Sequence, residues 1–235
     1  MDLSVDTLSL GVGWYLVFII STTLHEAAHA WTAWKLGDPT AYHAGQVTLN
    51  PLPHIEREPI GTILVPIASF LFGGWMIGWA SAPYDPWWAR NNPRRAALMA
   101  AAGPAANLLL MLLAALAIRI GIAFDFFYQP DEANFSRVTM GEPGVATGLA
   151  TLLSIFFMLN LLLMIFNLLP LPPLDGSAIL PLVMDRDTAA RYQETMMQPM
   201  WSMLGILVAW RIFDHIFGPI HKLALSLLYP GTTWF

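Results

Sequence analysis

The sequence predicts an all-α, polytopic membrane protein, and three observations support this fold class. Of its 235 residues, 56% are hydrophobic and only 11% are charged, whereas soluble domains carry about a quarter charged residues. Several apolar segments approach or exceed the roughly 20 residues that a membrane helix needs. Polar connections rich in proline and glycine separate these segments, and no internal repeat or interdomain linker is visible. We therefore expect a single membrane-embedded domain over residues 1–235.

Composition also argues against several functions. The chain has no cysteine, which excludes disulfide frameworks, thiolate zinc sites and cysteine nucleophiles. Its net charge of −5 comes without a basic cluster, and this argues against nucleic-acid binding. No basic residue precedes Lys35, and the first apolar run leads directly into polar side chains. Because cleavable signal peptides have the opposite charge pattern, we expect this segment to be retained.

Five apolar segments follow one another: residues 8–36, 60–74, 92–124, 145–169 and a last segment from about 201. The first ends at Gly-Asp-Pro, a helix-ending signal. The second is short and contains Pro66. The third begins with Asn92 as the N-cap and Pro93 at the first helical position. We expect the last segment to be broken, because it contains Arg211, Asp214 and a Gly-Pro pair.

The second segment decides the topology. A segment that only dips into the membrane leaves most basic residues of the connections on one side, and the positive-inside rule favours this arrangement. Pro66 also suits a re-entrant element, which is tolerated where protein or a water-filled cavity covers its backbone. The following residues, 75–83, alternate enough to predict a short β element at the membrane edge. We therefore expect the N-terminus outside the cytosol.

A polar motif, HEAAH at residues 25–29, lies near the inner end of the first segment. The four-residue spacing places His25 and His29 on one helix face, where both imidazoles can bind one zinc ion. Glu26 lies about 100° further round the helix, where it can reach a zinc-bound water without being a ligand. Ionisable groups are costly in membrane helices and are usually functional there. The motif therefore indicates a metal site near the cytosolic side.

A catalytic zinc site needs a third protein ligand and an open position. One known extension of this motif would need Gly and His where the chain has Thr32 and Lys35. Another would use a glutamate on a following helix, but Glu56 and Glu58 fall in a proline-rich connection. The best remaining candidate is Asp175, which follows the fourth segment. If the second segment is re-entrant, the first and fourth segments run parallel and deliver HEAAH and Asp175 to the same membrane side.

Three motifs in this order resemble the site-2 protease family of intramembrane zinc metalloproteases: HEAAH, AGPAAN at residues 102–107 and NLLPLPPLDG at residues 167–176. The connecting sequences look like a compact bacterial branch without a PDZ domain. The resemblance covers about residues 8–177 and leaves a C-terminal helical region, 178–235. It departs from the family at Ala178, where relatives carry a basic residue, and at Arg57 in the sequence EREP.

The resemblance implies His25, His29 and Asp175 as ligands of one zinc ion per chain, and Glu26 as the base that activates water. It further implies that the amides of Asn107 and Asn167 help to hold the substrate backbone or the oxyanion. Family members cleave transmembrane segments of membrane proteins, so the expected partners are such substrates and the lipid bilayer. The expected location is the bacterial cytoplasmic membrane.

Alternatives remain at this stage. Asn107 could instead form an interhelical hydrogen bond, and Asn167 could satisfy carbonyls freed before Pro170. The chain could be a non-proteolytic zinc-binding membrane scaffold, although a structural site would not need Glu26. A metal transporter would need several acids along its spans, and a diiron oxygenase would need more histidine pairs. The sequence does not indicate the oligomeric state or the natural substrate.

Overall fold

The structure is a computed structural model that describes residues 4–196, 198–232 and 234. Its elements in chain order are α1 (Val5–Lys35), α2 (Thr40–His43), α3 (Leu52–Arg57), a π-helical turn (Ile60–Leu64), α4 (Val65–Gly73), α5 (Pro86–Asn91), α6 (Pro93–Ala123), α7 (Val145–Asn167), α8 (Asp175–Ile179), a 3-10 turn (Leu180–Val183), α9 (Arg186–Met196) and α10 (Pro199–Leu228). Four of them, α1, α6, α7 and α10, are long and apolar enough to cross a membrane. The all-α, multi-pass prediction is confirmed.

Helix α1 begins and ends where local chemistry favours it. The Ser4 side chain accepts a hydrogen bond from the backbone N–H of Thr7, which satisfies one of the free donors at the helix start. At the other end Gly37 has a φ of 105°, a left-handed conformation that commonly terminates helices and that glycine adopts at little cost. These two signals define a helix of 31 residues, long enough to span a bilayer.

The long helices α1 and α7 run in the same direction, and α6 runs opposite to α1. Gly13 lies against Leu152, and two turns further on Ser21 bonds to Asn160, so α1 and α7 are in parallel register. In contrast, Arg95 at the start of α6 donates to the Leu36 carbonyl at the end of α1. The parallel arrangement of the first and fourth apolar segments, on which the expected position of Asp175 depended, is thus present.

The second apolar segment forms a hairpin with the chain that follows it. Near the open end of the hairpin, the Ser81 hydroxyl donates to Glu58 Oε1 at 2.6 Å, and the Asp85 N–H donates to Asp38 Oδ2 beyond the end of α1. At the closed end Gly74 has a φ of 79° and caps α4. Both ends of the hairpin therefore lie at the C-terminal end of α1, and its tip lies towards the N-terminal end.

The return arm of this hairpin, residues 75–83, is extended but unpaired. The described residues contain two isolated β-bridges, both between α6 and α7, and no strand. In the return arm, the N–H of Trp79 donates to the Gly61 carbonyl, and that of Ile77 donates to the Ser69 hydroxyl. These bonds attach the arm to its own hairpin and leave it without a neighbouring strand. The structure itself does not show a β element here.

Helix α10 corrects the prediction of a broken last segment, because it continues from Pro199 to Leu228. Arg211 and Asp214 are exposed, while Ala209 and Phe217 on the same helix are buried. The charged side chains therefore interrupt the apolar sequence without entering the core, and the helix does not need to end. Pro219 lies inside the helix, so the Gly-Pro pair does not end it either.

Candidate metal centre

Two imidazoles and one carboxylate converge between α1 and the start of α8. Nε2 of His25 and Nε2 of His29 are 3.0 Å apart. Oδ2 of Asp175 lies 3.2 Å from the first nitrogen and 3.3 Å from the second. Both histidines are buried, and Asp175 is partly buried. Asp175 follows the two histidines by 146 positions or more in the sequence, and the fold brings the polar atoms of all three into one triangle.

Close helix packing delivers Asp175 to this position. Asp175 begins α8, after the short connection that follows α7. A Cβ at Gly176 would collide with the carbonyl groups of Leu168 and Leu169 at the end of α7. Only a residue without a side chain lets the α8 turn lie so close to this helix end. In the Asp-Gly pair, the aspartate therefore supplies a polar atom to the triangle, and the glycine permits the close packing that positions it.

The three atoms fit a zinc ion. Four-coordinate zinc with bonds of 2.0–2.2 Å places its ligand atoms about 3.3 Å from one another, close to the three separations in the triangle. Oδ2 of Asp175 is buried and has no hydrogen bond of good geometry within the described part of the chain, although both nitrogens are near. A buried carboxylate oxygen in this condition is costly unless a cation satisfies it. The donor set, two imidazoles and one carboxylate, is one that catalytic zinc sites use.

The electrostatics keep the carboxylate ionised. Burial alone would raise the pKa of Asp175, but the adjacent imidazoles outweigh this effect and hold the pKa below its ordinary value. Metal ligands must be deprotonated to bind. Asp175 is therefore in the protonation state that a ligand requires.

The far nitrogens of both imidazoles are already hydrogen-bonded. Nδ1 of His25 lies 2.6 Å from Oδ1 of Asn107, and Nδ1 of His29 lies 2.8 Å from the carbonyl oxygen of Met99. Both partners are on α6. Metal-binding histidines usually donate the second ring N–H to an oxygen in this way, which leaves the lone pair of the first nitrogen for the metal.

Gly103 of α6 leaves the space for this centre. A Cβ at this position would fall against Nε2 of both His25 and His29. The backbone of α6 therefore passes directly beside the two nitrogens, and any side chain larger than hydrogen would occupy the position where an ion would be held. The structure thus gives Gly103, within the AGPAAN motif, a specific steric reason to be glycine.

Glu26 borders the cavity into which the metal-binding atoms face. The cavity has a volume of about 1340 Å³, and its lining includes His25, Glu26, His29 and Asp175, with apolar side chains over most of the remainder. The Glu26 side chain is buried, at 7% exposure. It is thus next to the metal-binding triangle, on the same cavity and outside the triangle itself. A cavity of this size can hold an unwound stretch of peptide.

The structure places the two asparagines of the expected site differently. Asn167 lines the cavity, and its amide nitrogen donates to the Leu163 carbonyl of its own helix at 3.0 Å. Asn107 has no exposed surface. Its oxygen contacts His25 and its nitrogen donates to Asn160. Both polar ends of the Asn107 amide are thus engaged inside the helix bundle, which matches the interhelical hydrogen bond that the sequence left as an alternative.

Sequence reasoning missed several residues around the centre, namely Ser21, Met99 and Asn160. Ser21 precedes His25 by four residues, and Asn160 precedes Asn167 by seven, so each shares a helix face with a candidate residue. Polar residues at this spacing in apolar helices were the available signal. Met99 contacts His29 through its backbone carbonyl, so its side-chain type gave no signal in the sequence. Glu58, weighed as a ligand, instead bonds to Ser81 in the hairpin.

The family model described as Peptidase family M50 matches residues 14–210. The chain belongs to peptidase family M50. YwhC of Bacillus subtilis, named as a candidate zinc metalloprotease, is 38% identical over 174 residues, which cover 71% of this chain and 67% of the relative. Rip2 of Mycolicibacterium smegmatis, named in the same way, is 37% identical over 62 residues, or 26% of this chain and 22% of the relative. No solved structure gives a significant match.

Membership of family M50 confirms the resemblance to site-2 proteases. With four helices able to span a membrane, this M50 chain is a multi-pass membrane peptidase. The family also implies zinc as the metal, and the group of His25, His29 and Asp175 could hold it.

Proposed function

We propose that this chain is an intramembrane zinc metalloprotease that hydrolyses peptide bonds in or beside transmembrane segments of other membrane proteins. One zinc ion per chain is held by His25, His29 and Asp175, and Glu26 is the catalytic base. The observation that carries this proposal is the meeting, on one cavity, of two imidazoles, a separate glutamate and the buried Oδ2 of Asp175, which has no hydrogen-bond partner among the described residues. The non-proteolytic scaffold has no observation in its favour, and a purely structural site would not need Glu26.

In this mechanism each side chain has one task. Zinc, when bound, lowers the pKa of a coordinated water and polarises the peptide carbonyl. Glu26 takes a proton from the attacking water and returns it to the nitrogen of the leaving amine. Its position beside the triangle suits this shuttle, since it is not needed as a ligand. The buried walls around Glu26 limit access of bulk water, so the carboxylate acts in a medium of low dielectric constant.

The return arm of the hairpin is the proposed membrane-edge β element. Its hydrogen bonds alternate: the N–H groups of Ile77 and Trp79 point into the hairpin. In an extended chain the N–H groups of Gly78, Ala80 and Ala82 then point the other way. All three residues line the cavity. An unwound substrate could pair with these free donors, as peptides do at exposed sheet edges.

We further propose that the hairpin is re-entrant and that residues 1–235 form a single domain. The segment Ile60–Gly73 is shorter than a membrane-spanning helix, and both hairpin ends lie near the C-terminal end of α1. Because α1 and α7 run in the same direction, an odd number of membrane crossings must lie between them. The helix α6 supplies one crossing, so the hairpin adds no single crossing of its own. With the basic residues inside, the N-terminus is outside the cytosol, and the metal centre faces the cytosol of a bacterial cytoplasmic membrane.

The substitution Glu26→Gln tests this function. Purified protein is assayed with a reporter that contains a transmembrane segment, and bound zinc is measured in the same sample. We expect zinc content to stay at one per chain and cleavage to fall by a factor on the order of 1,000 or more. Glu56→Gln, at an exposed position of α3, is the matched control and should cleave normally. Cleavage by the Glu26→Gln protein would overturn the proposal.

A further inference from the structure

A chain of buried amides connects His25 to the backbone of α7. Oδ1 of Asn107 contacts Nδ1 of His25 at 2.6 Å, and Nδ2 of Asn107 donates to Oδ1 of Asn160 at 2.9 Å. Nδ2 of Asn160 in turn donates to the Phe156 carbonyl and to the Ser21 hydroxyl, each at 2.9 Å. Asn107, Asn160 and Ser21 have no exposed surface. This series of hydrogen-bonded side chains therefore links α1, α6 and α7 directly.

The direction of every bond in this chain is determined at one end. The Phe156 carbonyl can only accept a hydrogen bond, so the side of the Asn160 amide that faces it must be the nitrogen. The oxygen of Asn160 then faces Asn107, which must present its own nitrogen. The oxygen of Asn107 is left for His25, and Nδ1 of His25 must carry a proton. In a neutral imidazole only one nitrogen is protonated, so Nε2 keeps its lone pair.

The opposite orientation would disable the centre. If the Asn107 amide turned over, its nitrogen would donate to Nδ1 of His25, and the ring proton would move to Nε2. A protonated Nε2 cannot bind a metal. It would also point its N–H at His29, whose Nε2 is 3.0 Å away. Hydrogen bonding at the far nitrogen is a recognised way to set the tautomer of a histidine ligand.

We propose that Asn160 is a positioning residue that, through Asn107, holds His25 in the tautomer that binds zinc. This inference rests on the proposed function, since it takes His25 as a ligand. Ser21 has a lesser part, because a hydroxyl can either donate or accept and does not impose a direction. The backbone of α7 sets the direction, and Asn160 transmits it. Neither Asn160 nor Ser21 is among the residues that line the cavity.

Four variants of residues 1–235, purified in detergent, separate this role from ordinary packing. Asn160→Leu removes the acceptor for Asn107 and keeps the branched shape of the side chain. Asn160→Asp, as the protonated acid that burial favours, keeps an acceptor oxygen for Asn107 and an O–H donor for the Phe156 carbonyl. Ser21→Ala removes only the hydroxyl. Met158→Ala is the packing control, since Met158 is fully buried on the same helix and belongs to an apolar cluster.

The first measurement is zinc affinity by competition with a chelator. We expect Asn160→Leu to weaken zinc binding about 10- to 100-fold, the usual effect of losing a partner of a ligand. Asn160→Asp should restore affinity to within a few-fold of wild type, and Ser21→Ala should change it less than about 3-fold. Met158→Ala should lower thermal stability and leave zinc affinity unchanged. Equal zinc affinity in wild type and Asn160→Leu would overturn the inference, as would a similar loss in Met158→Ala.

The second measurement is the tautomer itself. The ¹⁵N spectrum of histidine-labelled, zinc-free protein reports which ring nitrogen is protonated, and His25 is assigned by the signal lost in His25→Ala. We expect Nδ1 to carry the proton in wild type and a mixture of tautomers in Asn160→Leu. An unchanged tautomer would overturn the inference. The proposed function fails separately, if His25→Ala binds zinc as tightly as wild type.

Discussion

The two walls of the cavity are built in contrasting ways. On one wall, α1 and α8 carry Glu26 and the triangle of His25, His29 and Asp175. The amides of Asn107 on α6 and Asn160 on α7 lie behind them and are fully buried. On the other wall, the return arm of the hairpin and α10 present large apolar side chains to the outside. Trp79 is 50% exposed and Trp210 is 61% exposed. We call the first the bonded wall, because its buried side chains hydrogen-bond to one another, and the second the open wall, because its side chains are exposed.

This difference assigns the reacting groups to one wall and the entry of substrate to the other. Catalytic groups must be held closely in position, which is best achieved on packed helices with bonded partners. A substrate helix must instead enter from the lipid and unwind, and that needs a wall with unused backbone donors and few fixed contacts. Residues on the bonded wall should therefore control zinc binding, and residues on the open wall should control substrate binding. The following predictions test that division.

The largest effect is expected at Gly103. A methyl group there would press on Nε2 of both histidines, so Gly103→Ala should lower zinc affinity at least about 10-fold and reduce cleavage accordingly. Zinc competition measures the first effect directly. The matched control is Gly148→Ala in α7, where nothing lies within 4 Å of the added Cβ, and which should bind zinc normally. Normal zinc affinity in Gly103→Ala would show that the bonded wall does not define the site.

A smaller effect, confined to substrate, is expected at Ala80. Proline there removes one proposed backbone donor, which is worth roughly 1 kcal/mol or about 5-fold in kcat/KM, while zinc content stays the same. Ala80→Val keeps the N–H and serves as the control. Steady-state kinetics with the transmembrane reporter measure both. If Ala80→Pro cleaves as well as Ala80→Val, the return arm does not pair with substrate through this donor.

The smallest effect is expected at the exposed ion pair between Arg90 and Glu194, whose charged atoms are 3.6 Å apart. Both side chains are more than half exposed, and such pairs contribute less than about 1 kcal/mol. Glu194→Gln should leave the thermal stability, zinc content and cleavage rate close to wild type. A large rise in cleavage would instead mean that this contact between α5 and α9 restricts access, and that the open wall is more tightly closed than its exposure indicates.

Much of the fold was predictable, because a membrane helix requires a long apolar run and its ends are often marked by capping residues, proline or glycine. The start of α6 follows from Asn92 and Pro93, and the end of α1 follows from Gly37. Helix α10 was not predictable, because a charged residue in an apolar run signals a break unless its exposed face is known. The parallel directions of α1 and α7 followed from counting the basic residues on each side of the membrane. That count predicts topology, but it does not predict which side chains are in contact.

The site was predictable to the extent that its residues belong to compact motifs. HEAAH has a fixed helical geometry, and Asp175 lies in a recognisable sequence. The role of Asn107 was not predictable, since an amide in a membrane helix can contact a substrate, a neighbouring helix or a ligand. Its partner Asn160, and the Met99 carbonyl that His29 contacts, are determined by the packing of three helices. The spacing of residues within any one helix does not contain this information.

The most direct test of the central claim is zinc X-ray absorption on the purified Glu26→Gln protein, with total zinc measured in the same sample. The account predicts one zinc per chain with two imidazole ligands and oxygen ligands at about 2.0–2.2 Å, and loss of this zinc in Asp175→Asn. A protein without bound zinc would contradict the account. So would zinc whose spectrum is unchanged when Asp175 is replaced.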